Sequence, residues 1–253
     1  MITFSLQSGS NGNSIYVEAG DVRLLFDAGI SGRMAQRRMA SKGRDIRDCH
    51  ALIISHNHSD HTRCAGIFQR KFGLPIYMTE GAYGAVHRYL EPVSDVRQFI
   101  AGNRLAFGDV TVHTIRTPHD GIDGVCFVVE HDGKKLGIFT DLGHPFAALG
   151  DALVEVDAMY LESNYDPDML RDGPYPEALK RRITGKGGHL SNEESAELVR
   201  RRIGSPLKWM AIAHLSQENN RPDIAIDVHR RQIGTLLPLH VASRDRVGDL
   251  LEV

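Results

Sequence analysis

Short apolar and alternating runs along the chain predict a large number of β-strands. Each run is bounded by Gly, Ser, Asn or Asp, the residues that favour turns. The predicted strands are residues 1–5, 14–18, 23–26, 51–54, 75–78, 110–115, 125–130, 136–140, 158–162 and 209–213. Asp132 and Gly133 lie between two of these runs, and this dipeptide is typical of a tight hairpin turn.

Segments with helical spacing lie between and after these strands. They are residues 31–42, 61–72, 82–90, 174–183, 191–203 and 222–232. The fifth opens with Ser191 and Glu194 in the pattern of a capping box, and Pro222 suits a first helical turn. This interleaving predicts an α/β (α+β) chain in which two packed sheets are covered by helices, a four-layer αββα sandwich.

Length and composition fit one globular domain. The chain has 253 residues, of which 42% are hydrophobic and 25% charged, so it is long enough to bury a core and too apolar to be disordered. It contains no recognisable linker, repeat or low-complexity segment. We therefore expect residues 1–253 to form a single domain.

Charge and cysteine usage narrow the possible partners and compartment. The formal net charge is −2, so a nucleic-acid partner would have to meet a local basic patch. Three scattered cysteines without a CxxC pair disfavour both a disulfide framework and a zinc finger. With no secretory signal and no run of membrane-spanning length, we expect a cytoplasmic protein without a membrane partner. The oligomeric state stays open.

A dense histidine cluster is the main chemical signal. The chain has 13 histidines, and residues 55–61 read S-H-N-H-S-D-H. His56, His58, Asp60 and His61 follow a predicted buried strand, where a short loop can turn them toward one point. Histidine is the commonest metal ligand, and this spacing suits two adjacent metals better than one. The alternative is a polar loop that only caps a helix.

The cluster resembles the H-x-H-x-D-H signature of the metallo-β-lactamase superfamily. Other elements similar to those of the family follow in order: Asp27 in F-D-A-G, His119 in T-P-H-D, Asp141 in F-T-D-L-G and His214 in A-H-L-S. The resemblance implies one metal on His56, His58 and His119, a second on Asp60, His61 and His214, and Asp141 bridging both. It also implies that Asp27 supports the metal-binding histidines. His189 competes with His214 for the last position.

Two departures from relatives of this fold indicate the hydrolytic branch. β-Lactamases commonly have a cysteine where Asp141 stands, which disfavours antibiotic hydrolysis, and redox-active diiron relatives have glutamate where Asn57 stands. The H-x-S elements at His189 and His214 resemble those of phosphodiesterases and nucleases, including the ribonuclease Z enzymes. Together with residues 162–166 and 173–176, they are most similar to the bacterial WalJ-type group of DNA exonucleases.

The resemblance implies that His189 is a catalytic residue beside the metals, although His189 and Ser191 can instead be read as a helix cap. The loop before that helix would favour an anion. Residues 171–202 contain eight basic and five acidic side chains, which suits a phosphate backbone or a plain solvated helix face.

The expected activity is phosphodiester hydrolysis by a hydroxide bridging two divalent metals, Zn²⁺ or Mn²⁺ with iron as a further option. Asp60 would orient the nucleophile, and His189 would protonate the leaving oxygen. The substrate would be nucleic acid or another phosphodiester. Alternatives with the same dinuclear site are a small-molecule phosphodiesterase and a thioester or lactone hydrolase. A metal-loaded binding scaffold with little turnover is a third possibility, from another class.

Overall fold

The computed structural model describes residues 1–201, 207–235 and 237–253, and it contains two seven-stranded sheets. The strands of the first sheet are β1 (Ile2–Gln7), β2 (Ser14–Ala19), β3 (Val22–Phe26), β4 (Ala51–Ile53), β5 (Ile76–Thr79) and β6 (Val96–Phe99). Those of the second are β7 (Arg104–Phe107), β8 (Val110–Arg116), β9 (Val125–His131), β10 (Lys134–Phe139), β11 (Ala158–Glu162), β12 (Trp209–Ala213) and β13 (Leu239–Val241). β14 (Leu251–Glu252) returns to the edge of the first sheet beside β1.

Helices connect the strands. They are α1 (Gly32–Ala40), α2 (Ser59–Thr62), α3 (Ala65–Phe72), α4 (Glu80–Leu90), α5 (Ala147–Glu155), α6 (Pro167–Asp172), α7 (Glu177–Thr184), α8 (Asn192–Arg200) and α9 (Pro222–Ile233). In the described part of the chain, none has the length and apolar composition needed to cross a bilayer.

Both sheets change from antiparallel to parallel pairing along their width. In the first sheet, β1, β2 and β3 pair antiparallel, whereas β3 to β6 are parallel. In the second, β7 to β10 pair antiparallel, whereas β10 to β13 are parallel. The carboxyl ends of parallel strands meet at one edge of a sheet, which is where α/β proteins place their ligands.

Three hydrophobic clusters hold the layers together and confirm the predicted αββα sandwich. The central cluster lies between the sheets, where the rings of Phe26 and Phe127 are 5.0 Å apart. A second cluster packs α1, α3 and α4 on the outer face of the first sheet, with Phe68 fully buried. A third packs α5, α8 and α9 on the second sheet. Burial of these side chains is the main stabilising contribution to the fold.

The structure confirms the hairpin turn and the helix cap that were predicted from local residue patterns. Asp132 and Gly133 both have positive φ, 48° and 69°, as a two-residue hairpin turn requires. Ser191 and Glu194 form both hydrogen bonds of a capping box at the start of α8. The predicted helix over 191–203 is observed as α8, and its last predicted residues, 202 and 203, lie outside the described part of the chain.

The predicted helix over 61–72 is wrong in one respect, because the helix is interrupted between α2 and α3. In a continuous helix the carbonyl of His61 would accept a bond from residue 65. Here it accepts a bond from Ala28 N at 2.7 Å, and Cys64 N donates to Ala28 O at 3.0 Å. The turn after β3 therefore interrupts the helix and fixes the loop that presents the histidine cluster.

Candidate metal centre

The candidate ligands predicted from the sequence lie together at one edge of the sandwich. His56, His119, Asp141 and His214 each follow the carboxyl end of a strand, respectively β4, β8, β10 and β12. His58, Asp60 and His61 lie between β4 and α3. The two sheets thus bring residues 158 positions apart in the chain, His56 and His214, to one point.

The backbone turns sharply where several of these side chains leave their strands. Asp27, Asp141 and His214 have positive φ values of 65°, 57° and 56°. Residues other than glycine rarely adopt this left-handed conformation, and such strain concentrates at functional sites. Gly121 allows a close approach of another kind, because a Cβ there would lie 2.4 Å from His56 Cδ2.

His56, His58 and His119 form the first donor group, with one nitrogen of each lying within 4.8 Å of the others. His58 Nδ1 and His119 Nε2 are 3.3 Å apart. The remaining nitrogens have partners that fix the rings: His119 Nδ1 donates to Gly188 O at 2.8 Å, and His56 Nδ1 lies 3.0 Å from Ser55 Oγ. Such supporting bonds orient ligating imidazoles.

Asp60, His61 and His214 form the second donor group. Asp60 Oδ2 lies 3.4 Å from His61 Nε2 and 3.5 Å from His214 Nε2. His61 Nδ1 donates to Asp27 Oδ2 at 2.8 Å, so its other nitrogen faces the group. The structure thus places Asp27 directly behind His61, in the supporting position that the family resemblance implies.

Asp141 contacts both donor groups. Its Oδ1 lies 3.7 Å from His119 Nε2 and 3.5 Å from His214 Nε2, and its Oδ2 lies 3.3 Å from His61 Nε2. The carboxylate is 3% exposed, so water does not compensate its charge. A carboxylate between two histidine groups has the position required of a bridging ligand.

Unpaired buried atoms show that these residues fit a metal. His56 Nε2, His214 Nε2 and Asp141 Oδ2 are buried and make no hydrogen bond to any part of the chain that the structure describes. Such groups are costly unless a ligand or ion satisfies them. All three belong to the donor groups, and the donor set of imidazole nitrogens and carboxylate oxygens is one that divalent ions accept.

The electrostatics of the cluster favour cations. Burial by itself would lower the pKa of His61 and His214, yet the charge of Asp141 and of the other nearby carboxylates raises both, that of His214 to about 10. Burial would raise the pKa of Asp141, but His214 and His61 hold it far below its usual range. Without metal, protons on His61 and His214 therefore balance the carboxylates. Bound cations would take over that role.

The first donor group behaves differently. Burial, followed by the neighbouring imidazole charges, lowers the pKa of His56 well below its ordinary value, and burial and His119 lower that of His58. Both imidazoles are therefore neutral near pH 7, which is the form that binds a metal. These two rings meet edge to face, with centroids 4.6 Å apart.

Glu162, to which the sequence analysis assigns no role, is the carboxylate that connects the site. It ends β11 and is fully buried. Its Oε1 accepts from His189 Nδ1 at 2.6 Å and lies 3.3 Å from His214 Nδ1, and its Oε2 accepts from Leu142 N at 3.0 Å. The signals in the sequence are one acidic residue at the end of an otherwise apolar predicted strand and the position of that residue at the start of the motif over 162–166.

His189 lies beside the donor groups and stays partly open to solvent. Its side chain is 18% exposed, and its Nδ1 lies 3.9 Å from Asp141 Oδ1. With Nδ1 engaged by Glu162, Nε2 is the nitrogen left for a substrate. His214 belongs to the group with Asp60 and His61, whereas His189 falls in a separate group with Asp141, Glu162 and His214.

Two further contacts near the donor groups are absent from the sequence analysis. Asn13 Nδ2 donates to Asp60 Oδ2 at 3.2 Å. Asp120 Oδ1 lies 3.4 Å from His58 Nε2, and Asp120 also pairs with Arg182 at 2.6 Å. Neither contact has a local signal, because each partner comes from a distant segment.

An αββα sandwich with histidine and carboxylate groups at the carboxyl ends of its strands is the architecture of a metallohydrolase. The chain belongs to the Metallo-beta-lactamase superfamily, whose family model matches residues 8–214. Membership implies divalent metal ions as cofactors.

Comparisons with individual proteins agree with this assignment. The chain is 35% identical over 224 residues to Exodeoxyribonuclease WalJ of Streptococcus pneumoniae serotype 2, covering 87% of this chain and 83% of that protein. It is 33% identical over 222 residues to Exodeoxyribonuclease YycJ of Bacillus anthracis, covering 87% and 84%. Among solved structures, the metallo-beta-lactamase fold protein YhfI from Bacillus subtilis superimposes with a TM-score of 0.76 at 16% identity, covering 100% of this chain and 98% of YhfI. That likeness shows the fold.

Proposed function

We propose that this chain is a metal-dependent nuclease that hydrolyses phosphodiester bonds in DNA. The observation that carries the proposal is the contact of one buried carboxylate, Asp141, with two separate donor groups. The names of the relatives from Streptococcus pneumoniae and Bacillus anthracis, both exodeoxyribonucleases, support DNA as the substrate. In this proposal residues 1–253 act as one catalytic domain, and the free cysteines suit the reducing cytoplasm.

Two divalent ions would be held by this chain. The first would bind His56, His58 and His119, the second Asp60, His61 and His214, and Asp141 would contact both. Because no cysteine belongs to these described groups, zinc or manganese fits the donors, and iron is a third option. Bound divalent ions supply positive charge to the phosphate oxygens and lower the pKa of bound water.

The side chains around the metals would position the reacting groups. Asp60 is held by Asn13 at 3.2 Å, and its carboxylate is only 20% exposed, so it can orient a nucleophilic water at a fixed point. Burial raises the pKa of Asp60, but His61 and His214 hold it far below its usual range, so the group is an acceptor at neutral pH.

His189 would deliver the proton that the leaving oxygen needs. Glu162 accepts from Nδ1, which fixes the orientation of the ring. Although burial raises it, the pKa of Glu162 is lowered by the charge of His189 and by the hydrogen bond from that ring. The ionised Glu162 thus keeps a proton on Nδ1 and leaves Nε2 to donate to a departing sugar oxygen.

The basic segment over 171–202 contributes less than its composition indicates. Arg171 pairs with Asp168 and Asp172, Lys180 with Glu177, and Arg200 and Arg201 with Glu197. Arg202 lies outside the residues that the structure describes. Arg182 reaches the donor groups through Asp120. We therefore do not assign the nucleic-acid contact to this segment.

Hydrolysis assays with the metal-loaded chain test the proposal. Bis-p-nitrophenyl phosphate, labelled single- and double-stranded DNA, labelled RNA and a thioester are supplied in parallel, with and without a chelator. We expect metal-dependent hydrolysis of the phosphate diester and of DNA. Turnover of the thioester without any phosphodiester hydrolysis would contradict the proposal and favour the ester hydrolase alternative.

A further inference from the structure

A pocket of about 510 Å³ lies directly beside the second donor group. One wall is Leu215, Ser216 and Gln217, the three residues that follow His214. The turn Ser243 to Arg246 and Asn11 also line it. The volume is in the range of small-ligand sites. The mechanism proposed above leaves this pocket without a role.

The turn that forms the outer wall is fixed by the rest of the fold. Ser8 N donates to Ser243 O at 3.0 Å, Asn11 Nδ2 to Arg244 O at 3.3 Å and the buried Arg38 to Asp245 O at 2.5 Å. Ser8 Oγ also accepts from His214 N at 2.9 Å. One serine therefore connects the turn to a residue of the second donor group, so the pocket and that group keep a fixed relative position.

Arg244 is the charged group of this wall with unused hydrogen-bonding capacity. Its Nη2 donates to Gln217 Oε1 at 2.8 Å. Its Nη1 is buried and has no hydrogen-bond acceptor within the described ranges 1–201, 207–235 and 237–253. A buried guanidinium nitrogen without an acceptor is costly, and a planar guanidinium matches the oxygens of a phosphate.

The remaining charges of the turn leave the pocket net positive. Arg246 also lines it and is exposed. The one carboxylate of the turn, Asp245, acts on the guanidinium of Arg38, where its charge partly offsets the lowering of the Arg38 pKa that burial and Arg37 cause. The lining therefore carries two arginines against one carboxylate, and the net positive charge is left to attract an anion.

We propose that the Arg244 pocket, defined by Asn11, residues 215–217 and the turn Ser243 to Arg246, binds a phosphate group of the DNA strand other than the one being cleaved. The inference rests on the proposed nuclease function and extends it. Gln217 holds the guanidinium while Nη1 donates to a phosphate oxygen. The phosphate can come from the 5′ end of the strand or from its interior. In either case the pocket would set which bond of the strand reaches the donor groups.

Arg244→Gln tests the assignment, with Arg200→Gln as the control. Arg200 lies at the carboxyl end of α8, is exposed and pairs with Glu197, which keeps Arg201 as a second partner. Binding of fluorescent single-stranded phosphorothioate DNA is measured by anisotropy, with a 5′-phosphate and with a 5′-hydroxyl. Hydrolysis of bis-p-nitrophenyl phosphate, which carries no phosphate other than the one being cleaved, reports whether each variant is folded.

Arg244→Gln should weaken DNA binding about tenfold, the loss expected for one charge-assisted hydrogen bond. The slope of the logarithm of affinity against the logarithm of salt concentration should fall by about 0.7, as for one phosphate contact on a single strand. Hydrolysis of the small diester should stay within about twofold of wild type. Weaker binding of only the phosphorylated strand identifies a terminal phosphate, and equal weakening of both identifies an internal one.

Two results would overturn the inference. In the first, Arg244→Gln binds both strands as tightly as wild type and Arg200→Gln do. In the second, Arg244→Gln loses binding while its salt slope is unchanged, which would mean that no phosphate contact was removed. Failure of the proposed function has a different signature, since wild type would then hydrolyse neither the small diester nor DNA in the presence of metal.

Discussion

Glu162 Oε1 and His189 Nδ1 are 2.6 Å apart, and the same oxygen lies 3.3 Å from His214 Nδ1. One buried carboxylate thus supports both a candidate proton donor and a candidate metal ligand. It also accepts from the backbone of Leu142, next to Asp141. The position of β11 between β10 and β12 explains this, because its end lies between the ends of the two strands that present Asp141 and His214.

Glu162→Gln should lower kcat on DNA about 10- to 100-fold, because the amide keeps the shape of the side chain but not the charged acceptor that fixes the His189 ring. Hydrolysis of bis-p-nitrophenyl phosphate should fall much less, since p-nitrophenolate departs without a proton. Steady-state kinetics on both substrates measure the difference. Glu130→Gln is the matched control, because Glu130 makes a similar pair with His113 at 2.8 Å away from the donor groups. An equal loss on both substrates would contradict a role in proton delivery.

His189→Ala and Asp141→Ala should separate catalysis from metal binding. His189 lies outside the two donor groups defined above and shares a third with Asp141, Glu162 and His214. If its role is catalytic, its removal should leave metal content unchanged and reduce DNA turnover about 10²- to 10⁴-fold. Asp141 contacts both groups, so its removal should reduce metal occupancy itself. Elemental analysis of both purified variants measures the metal. If both lose metal to the same extent, His189 is a ligand and its assigned role is wrong.

Asp27→Asn should weaken metal binding about 10- to 100-fold, because Asp27 fixes the His61 ring through Nδ1 at 2.8 Å. Titration with a competing chelator gives the affinity. The control is Asp109→Asn, which removes a similar carboxylate from His131 Nε2 at 3.1 Å on the surface. An unchanged affinity in Asp27→Asn would show that the His61 ring is held by packing alone.

Metal binding should release protons and should strengthen as pH rises. Burial lowers the pKa values of His61 and His214, but Asp141 and the other nearby carboxylates raise both, that of His214 to about 10. Both rings are therefore protonated in the metal-free chain at pH 7. A metal binds the neutral ring, so each proton must leave. Calorimetry in buffers of different ionisation enthalpy counts the protons. A proton count of zero, or an affinity that falls between pH 7 and pH 9, would exclude this charge balance.

His229 gives a pH dependence of stability that is independent of the metal ligands. Burial, together with Arg230, lowers the pKa of this fully buried ring to about 4, against about 6.5 in the unfolded chain. Between these values the unfolded state binds the extra proton, so the free energy of unfolding falls as pH falls. From pH 7 to pH 4.5 the loss from this group is about 2 kcal/mol.

Urea denaturation of wild type and His229→Gln at both pH values isolates that loss. The two proteins share the metal site, so the difference in pH dependence belongs to His229. His87→Gln, a change at the surface of α4, should retain the wild-type pH dependence. The assignment fails if His229→Gln loses as much stability on acidification as wild type does.

Sequence-based prediction missed the short and weakly patterned elements of the fold. β6, β7, β13 and β14 are edge or near-edge strands of two to four residues, and their partly exposed side chains carry little periodic signal. α5 and α6 also have no counterpart among the predicted helices. Longer strands buried on both faces, such as β11 and β12, were predictable because every residue in them except Glu162 is apolar.

The sequence alone determined the cluster of His56, His58, Asp60 and His61, which are neighbours in the chain. The family resemblance implied His119, Asp141 and His214 and the division of the donors into two groups. Tertiary structure decided that these donors lie together, that Glu162 contacts His189, and that Arg244 borders the pocket beside the site. The physical reason is range, because periodicity and turn chemistry act over a few residues. Glu162 meets His189 because the residues after β11 pair with those before α8, and Gln217 meets Arg244 because β12 and β13 are neighbours in the second sheet.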